Sequence, residues 1–342
     1  MSAATVASTP LTEFGLNNSP GSPSYRQDAG MERHGDDHED LRRDESRRDD
    51  PAANSTIGES RVIDNTDRRD GETGRRAAVL GFPVAHSLSP DLHAAAYAAL
   101  GLDGWSYDRI ECRENELDDL VAGLGPEWIG LSLTMPLKRV TLQVADRVTD
   151  LAAAVGAANT LVAGPAGWLA DNTDVAGIIG ALRESGVEKV ERALVLGAGG
   201  TAQAALAALR ELGEPAPTVL VRDTSRTAEL QATAERLGVR PVISGGLLDA
   251  TFAPVDVVIS TLPPGAAEAL LPQPWLGRPV LLDVLYAPWP TALAGSAFAA
   301  GCRVVGGLPV LLHQAAAQVE LMTSKPAPVA AMRDALTAGA AR

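Results

Sequence analysis

The sequence has 342 residues, 46% of them hydrophobic and 21% charged, which is the composition of a globular protein with room for two domains. Its formal net charge of −14 at pH 7 excludes a nonspecific nucleic-acid-binding surface, because phosphate backbones need a cationic face. Cys112 and Cys302 are too few for a disulfide framework or a cysteine metal site, and we expect both in the core.

No apolar run approaches the ~20 residues that span a bilayer, and the chain does not begin with a secretion signal. We therefore expect a cytoplasmic protein without a membrane partner. His86 and His93 have no neighbours at metal-ligand spacing, so no metal is expected, and His93 is predicted to be packed within its helix. A homodimer is compatible with the sequence, which does not determine the oligomeric state.

Residues 1–76 differ in composition from the rest of the chain. The stretch 31–50 is almost entirely polar and charged, so it cannot offset the entropy lost when a chain becomes ordered. We predict a disordered tail over residues 1–76. Such a tail is either regulatory or the product of a translation start placed too far upstream.

From residue 77 onward, short apolar runs alternate with helical patterns. Strands are predicted over 77–80, 105–112 and 128–133, with helices over 90–100 and 117–124. A second series predicts strands over 193–196, 218–221, 257–260 and 280–283, with helices over 200–212 and 228–237. Strands that alternate with helices form βαβ units and largely parallel sheets, so the fold class is α/β. Two last helices, over 308–322 and 328–336, have no further strand partner and are predicted to return to the first series.

A glycine-rich turn follows the first strand of the second series and opens a helix. Such a turn lets the backbone approach a pyrophosphate, and the helix N-terminus favours the anion. It predicts a dinucleotide site with the residues Gly197, Ala198, Gly199, Gly200, Thr201 and Ala202.

The next strand ends where the adenosine ribose of a dinucleotide would lie. Arginine there accommodates the 2′-phosphate of NADP, whereas an acidic residue favours the free hydroxyl of NAD. This chain has both kinds, because Asp223 lies between Arg222 and Arg226. The two arginines favour NADP. The alternative is that both are solvated and that Asp223 merely caps a helix.

Lys138 is one of only three lysines in a chain that otherwise uses arginine. An ammonium can donate a hydrogen bond to an oxyanion and also exchange a proton, whereas arginine stays charged. Lys138 is therefore a candidate for acid/base chemistry. The alternative is a solvated lysine at the start of a helix.

Other polar residues each have a structural and a functional interpretation. Ser87 and Ser89 precede Pro90, so Ser89 is predicted as a helix N-cap, although two hydroxyls beside free amides also suit a small carboxylate. Asn159 is typical of a turn. Asp174 either caps a helix or pairs with Lys138 and binds a substrate hydroxyl.

These motifs, in this order, resemble the shikimate dehydrogenase family from about residue 77 to the C-terminus. In the family's Asn-x-Thr-x-Pro-x-Lys motif this sequence has Ser132, Thr134, Pro136 and Lys138, so serine replaces the usual asparagine. The resemblance implies the reversible reduction of 3-dehydroshikimate to shikimate with NADPH, a step of chorismate and aromatic amino-acid biosynthesis.

The resemblance also implies roles for individual residues. Lys138 and Asp174 are implied as catalytic, and Gly307 as a neighbour of the nicotinamide. The implied substrate contacts are Ser87, Ser89, Thr134, Asn159, Asp174, Tyr286 and Gln314. Without the resemblance, Tyr286 reads as an aromatic at the edge of the core and Gln314 as a solvated helix residue.

We therefore predict two α/β domains with the active site in the cleft between them. The substrate-binding domain comprises residues 77–175 and is completed by the helices of 308–342, and a Rossmann-type dinucleotide-binding domain comprises residues 176–307. An NAD-dependent quinate/shikimate dehydrogenase and a non-catalytic NADP-binding regulator on the same scaffold are the alternatives. The sequence departs from the family's pattern at two places. Val221-Arg222-Asp223 replaces a common Asn-Arg-Thr and bears on the choice between NADP and NAD, and Pro309-Val310 replaces a common Gly-Met and bears on the packing of the nicotinamide.

Overall fold

A computed structural model describes residues 74–245, 254–268 and 274–340 of the protein. The predicted disordered tail lies outside these residues, except for its last three positions, and the prediction is wrong for Arg76, which pairs with its neighbours as the first residue of β1. The predicted helices and strands are confirmed, and most of their ends agree to within one or two residues. The last helix extends four residues beyond its predicted C-terminal end. None of the helices in the described ranges has the length and hydropathy required to cross a bilayer.

The first six-stranded sheet has the order β2-β1-β3-β5-β6-β4. Its strands are β1 (Arg76–Gly81), β2 (Ser106–Glu111), β3 (Trp128–Leu133), β4 (Arg147–Val148), β5 (Thr160–Gly164) and β6 (Gly167–Asp171). The helices along this part of the chain are α1 (Ser89–Ala99), α2 (Leu117–Ala122), α3 (Thr141–Val144), α4 (Asp150–Val155) and α5 (Asp174–Glu184).

The predicted parallel pairing is confirmed for β1, β2 and β3, whereas the sequence predicts no strand at β5. This strand runs antiparallel to both β3 and β6, and Gly164 pairs with Gly167 at the end of the β5–β6 hairpin. For β5 and β6 the physical reason is the loop length. A two-residue connection reverses the chain, whereas a parallel pair needs a crossover of a dozen residues or more.

The second sheet is entirely parallel, with the order β12-β11-β10-β7-β8-β9. Its strands are β7 (Ala193–Leu196), β8 (Thr218–Leu220), β9 (Val242–Ser244), β10 (Val257–Ser260), β11 (Val280–Asp283) and β12 (Arg303–Val305). The helices of this part are α6 (Gly200–Glu211), α7 (Ala228–Leu237) and α8 (Ala292–Ala299). The chain proceeds from β7 to one side through β8, and returns to the other side through β10. This reversal is the topological switch point at which doubly wound sheets bind ligands.

The last two helices, α9 (Gly307–Thr323) and α10 (Val329–Ala340), pack against α1 through buried apolar side chains. Helix α9 also packs along α5 and contacts β3 and β5. We call the first sheet with α1–α4, α9 and α10 the first lobe, and the second sheet with α6–α8 the second lobe. Cys112 and Cys302 are buried in the two lobes as predicted.

Candidate active site

A cavity of about 380 Å³ lies between residues of the two lobes. The first lobe contributes side chains from β1, from the end of β3, from Asn159 just before β5 and from α9, and the second lobe contributes Thr201 and the segment after β11. The cavity brings together the sequence-predicted residues Ser87, Ser89, Thr134, Lys138, Asn159, Asp174, Thr201, Tyr286, Gly307 and Gln314. We call this cavity the cleft.

Lys138 and Asp174 form an ion pair in the cleft. The Lys138 Nζ lies 2.5 Å from Asp174 Oδ2, and the two side chains are only 22% and 12% exposed. Asp174 is the first residue of α5, and its own amide donates to Asn172 Oδ1. The helix-capping alternative for Asp174 and the solvated alternative for Lys138 are therefore both wrong.

Asn159 holds the second oxygen of the same carboxylate. Its Nδ2 donates to Asp174 Oδ1 at 2.9 Å, and its Oδ1 accepts from the backbone amide of Thr173 at 2.8 Å. Asn159 is 2% exposed, lies in the bend immediately before β5, and its carbonyl accepts from the Leu133 amide at 2.7 Å. Both oxygens of Asp174 are thus fixed, one by an ammonium and one by an amide.

Gln314 of α9 and Tyr286 of the second lobe face this pair across the cleft. Gln314 is 8% exposed, its Oε1 accepts from Asn159 Nδ2 at 3.3 Å, and its Nε2 donates to the Leu311 carbonyl. Without the family resemblance it was expected to be solvated, and that expectation is wrong. Burial raises the pKa of the Tyr286 phenol, which therefore stays neutral at physiological pH.

The two serines lie at the start of α1. Helix α1 begins at Ser89, and Leu88 precedes it without a side-chain cap, so the prediction of Ser89 as N-cap is wrong. The hydroxyl of Ser87 is 3.2 Å from that of Ser89 and also accepts from the Ser89 amide. Arg109 fixes this segment by donating two hydrogen bonds to the Ser87 carbonyl, at 2.9 and 2.6 Å. The two hydroxyls, beside the positive end of the helix dipole, can therefore receive a carboxylate.

A buried polar network behind the cleft was not foreseen from the sequence. The Tyr107 hydroxyl donates to Ser132 Oγ at 2.6 Å, and Ser132 donates to Gln318 Oε1 at 2.8 Å. Gln318 Nε2 donates to the Asn159 carbonyl and to Thr160 Oγ1. Gln318 follows Gln314 by one helical turn, and that spacing is the one sequence signal that could have included it.

His93 packs against this network as predicted. Its ring stacks on Tyr107 with centroids 3.9 Å apart, and its Nε2 lies 3.4 Å from Gln318 Oε1. Burial lowers the pKa of His93 to about 3, so the imidazole is neutral at physiological pH.

A second cavity, of about 840 Å³, lies at the carboxyl ends of β7, β8 and β10, and we call it the nucleotide pocket. Gly197 has φ 111°, and a Cβ there would lie 2.5 Å from Thr261 Oγ1, so only glycine fits. A Cβ on Gly199 would meet no atom within 4 Å, so this part of the turn faces open space. Helix α6 begins immediately afterwards at Gly200, and the buried Ala202 packs in the core. These features fit a dinucleotide.

The charged segment after β8 lines the same pocket. Asp223 accepts hydrogen bonds from the Ser225 amide at 2.9 Å and the Ser225 hydroxyl at 2.6 Å, and these bonds lower the pKa of its carboxyl. It therefore caps the 3₁₀ turn Thr224–Arg226, as one alternative expected. Arg222 and Arg226 are exposed on the wall of the pocket.

Gly307, at the start of α9, lies where the second sheet meets the cleft. A Cβ at this position would collide with the carbonyl of Val284, which follows β11. Glycine therefore lets α9 begin directly beside the strand end that carries Tyr286.

The fold and the site define a class of protein. A doubly wound lobe with a dinucleotide-type turn faces a lysine–carboxylate pair across a cleft, and this arrangement belongs to the nicotinamide-dependent oxidoreductases. The family described as "Shikimate dehydrogenase substrate binding domain" matches residues 79–161, and "Shikimate 5'-dehydrogenase C-terminal domain" matches residues 307–337.

Individual relatives agree with these matches. Shikimate dehydrogenase (NADP(+)) of Synechococcus sp. (strain JA-3-3Ab) is 36% identical over 79% of this chain and 95% of its own length. The crystal structure of Mycobacterium tuberculosis shikimate dehydrogenase is 48% identical, with a TM-score of 0.68, over 77% of this chain and 99% of that one. Shikimate 5-dehydrogenase from Thermus thermophilus, solved with NADP(H) and shikimate, is 32% identical, with a TM-score of 0.66, over 78% and 99%. The chain belongs to the shikimate dehydrogenase family.

Proposed function

We propose that this protein is an NADP-dependent shikimate dehydrogenase that interconverts 3-dehydroshikimate and shikimate. The observation that carries the proposal is the Lys138–Asp174 pair, held at 2.5 Å in a cleft that adjoins a dinucleotide-type turn. The Thermus thermophilus relative, which shares this fold, is solved with NADP(H) and shikimate. A regulator without catalysis would not need to keep this ion pair partly shielded from water.

In this proposal one lobe binds the substrate and the other binds the cofactor. The predicted substrate-binding domain, residues 77–175 with the helices of 308–342, holds the carboxylate and hydroxyls of the substrate. The predicted dinucleotide-binding domain, residues 176–307, holds the cofactor. In support, most of the polar residues that line the cleft come from the first lobe, and the glycine-rich turn lies in the second.

The substrate carboxylate is bound at the start of α1. Ser87 and Ser89 present two hydroxyls there, and the start of the helix adds the positive end of its dipole. Thr134, Asn159 and Gln314 bind the ring hydroxyls, since each is a neutral donor and acceptor that lines the cleft. Tyr286 contacts the ring from the second lobe with a neutral phenol.

Binding of the dinucleotide uses the turn from Gly197 to Ala202 for the pyrophosphate, Arg222 and Arg226 for the 2′-phosphate, and Gly307 beside the nicotinamide. When bound, the cofactor supplies the hydride that reduces the ketone carbon. The protein's own side chains bind and orient the substrate and transfer the proton.

Lys138 acts on the oxygen of the ketone. Its Nζ donates a hydrogen bond to the oxygen, stabilises the negative charge that grows there and delivers the proton that completes the hydroxyl. In the direction of shikimate oxidation the same nitrogen accepts that proton. Asp174 keeps the ammonium aimed into the cleft, and Asn159 keeps Asp174 aimed at the ammonium.

The absorbance of reduced nicotinamide tests the proposal directly. Purified protein is given shikimate or quinate together with NADP⁺ or NAD⁺, and we expect rapid reduction only with shikimate and NADP⁺. Turnover with NAD⁺, above all with quinate, would instead identify a quinate/shikimate dehydrogenase. Absence of turnover in all four mixtures, with NADP⁺ still bound, would identify a regulator. A cytoplasmic location and a homodimer stay predictions, and light scattering after size-exclusion chromatography tests the second.

A further inference from the structure

Arg139 extends from the first lobe to the nucleotide pocket of the second. It directly follows Lys138 in the loop after β3, and its Nη1 lies 3.5 Å from Oε1 of Glu229 in the first turn of α7. Both side chains line the nucleotide pocket, together with Arg222 and Arg226. This wall of the pocket therefore contains three arginines, one of which comes from the opposite lobe.

The contact between Arg139 and Glu229 is one that a better partner can replace. The two side chains are 48% and 57% exposed, and exposed ion pairs of this kind contribute little to stability. A phosphate ester has up to two negative charges and matches the planar guanidinium with two parallel hydrogen bonds. Arg139 can therefore exchange Glu229 for a phosphate at small cost.

The position of Glu229 indicates which phosphate of a dinucleotide is in reach. Glu229 comes three residues after Arg226, on the side of the pocket beyond the end of β8, where the adenosine ribose of such folds lies. The pyrophosphate is expected at the glycine-rich turn instead. Asp223 is engaged with Ser225, so the acidic residue of this wall that pairs with Arg139 is Glu229.

We infer that Arg139 is a cofactor-specificity residue: its guanidinium leaves Glu229 and binds the ribose phosphate that distinguishes NADP from NAD. The inference rests on the proposed use of NADP. It also joins the two halves of the site, because the loop that carries Lys138 then contacts the cofactor through the next residue in the chain.

Calorimetric titration of Arg139→Gln with NADP⁺ and NAD⁺, without substrate, tests the inference. We expect the Kd for NADP⁺ to rise about tenfold, the scale for one charge-assisted contact that is partly exposed, and the Kd for NAD⁺ to change less than about twofold. Arg183→Gln is the matched control, because Arg183 is 50% exposed, pairs with Glu188 at 4.0 Å and does not line the nucleotide pocket. It should leave both constants unchanged.

Glu229→Gln gives a second, opposite readout. Removal of the competing carboxylate should lower the Kd for NADP⁺ about two- to fivefold, because this is the change that the loss of one exposed ion pair produces. The double variant with Arg139→Gln should lose this gain. Equal weakening of both cofactors by Arg139→Gln, or no weakening, would overturn the inference.

Failure of the proposed function gives a different result. If the wild-type protein does not oxidise shikimate but Arg139→Gln still weakens NADP⁺ selectively, the substrate assignment is wrong and Arg139 keeps its role. If the wild-type protein oxidises shikimate but the variant binds both cofactors normally, the function holds and the role of Arg139 is wrong.

Discussion

Lys138 and Asp174 are 36 residues apart in the chain, yet an ammonium nitrogen and a carboxylate oxygen lie 2.5 Å apart. The antiparallel pairing of β3 with β5 produces this proximity. The loop after β3 carries Lys138, whose carbonyl accepts a hydrogen bond from Ala158, and Asn159 then holds the far side of Asp174. The β3–β5 pairing and the β5–β6 hairpin, neither of which the sequence predicts, therefore assemble the pair together.

Removal of the Asp174 charge should affect turnover more than folding. Asp174→Asn keeps the shape and the contact with Asn159, but leaves the Lys138 ammonium without its counter-ion. We expect kcat for shikimate oxidation to fall by about 10²-fold or more, the scale for a disrupted acid/base group, with a smaller rise in KM. Steady-state kinetics measure this.

Asp118→Asn is the control, because Asp118 is exposed in α2 and does not line the cleft. If Asp174→Asn kept its kcat and raised only KM, Asp174 would be a substrate-binding group that does not position Lys138.

Arg222 should discriminate between cofactors. Arg222→Ala removes one guanidinium from the wall of the nucleotide pocket, so the Kd for NADP⁺ should rise about tenfold or more while that for NAD⁺ stays nearly constant. Fluorescence titration with each cofactor measures both constants. Equal losses for the two would favour Asp223 as the residue that reads the ribose.

The stability of the protein should fall in mild acid because of His93. Its pKa is about 3 in the folded protein and 6.5 in the unfolded chain, so protons bind preferentially to the unfolded chain between these values. The stabilisation is complete above pH 6.5 and is lost as the pH falls toward 3, at up to about 1.4 kcal/mol per pH unit.

Urea unfolding at several pH values between neutrality and mild acid measures this dependence. His93→Gln retains a hydrogen-bonding side chain but no titrating group, so its free energy of unfolding should depend less on pH than that of the wild type, by up to one proton. Identical slopes for the two proteins would show that His93 is not the group responsible.

Replacement of Gln203 by an apolar residue of similar size should stabilise the protein. Gln203 is fully buried in α6, and neither its Nε2 nor its Oε1 has a hydrogen-bond partner among the described residues. An unsatisfied buried amide costs about 1–3 kcal/mol, so Gln203→Met, which fills a similar volume without polar atoms, should raise Tm by about 2 °C or more.

Gln203→Ala is the matched comparison, since it removes the amide but leaves a cavity and should lower Tm. Differential scanning calorimetry compares the three proteins. A lower Tm for Gln203→Met than for the wild type would mean that the amide is satisfied in solution.

Much of the fold could be predicted because it depends on local patterns. Buried strands such as Ala193–Leu196 are short apolar runs, and six consecutive residues are enough to identify the glycine-rich turn. Helix α8 was missed because Ala292–Ala299 is almost uniformly apolar and has no period that separates a helix from a strand. The β5–β6 hairpin was missed because an apolar strand does not show the direction of its neighbour.

The site was less predictable because its contacts join distant parts of the chain. Ser132 and Gln318 are 186 residues apart, and no local pattern relates a serine in a strand to a glutamine in the last long helix. Gln314 and Asn159 were expected from local sequence to be a solvated residue and a turn residue, although both are buried. Only the family resemblance placed them in the cleft in advance.

The turnover number of Lys138→Met tests the central claim most directly. Methionine keeps much of the side-chain length but has no ammonium, whereas the serines, Asn159 and Gln314 can still bind substrate. We predict that kcat for shikimate oxidation with NADP⁺ falls by ~10²–10⁴-fold with little change in KM, while Lys189→Met, at a lysine 71% exposed, retains normal kcat. Near-normal kcat with a raised KM for Lys138→Met would contradict the account, because Lys138 would then bind substrate without taking part in proton transfer.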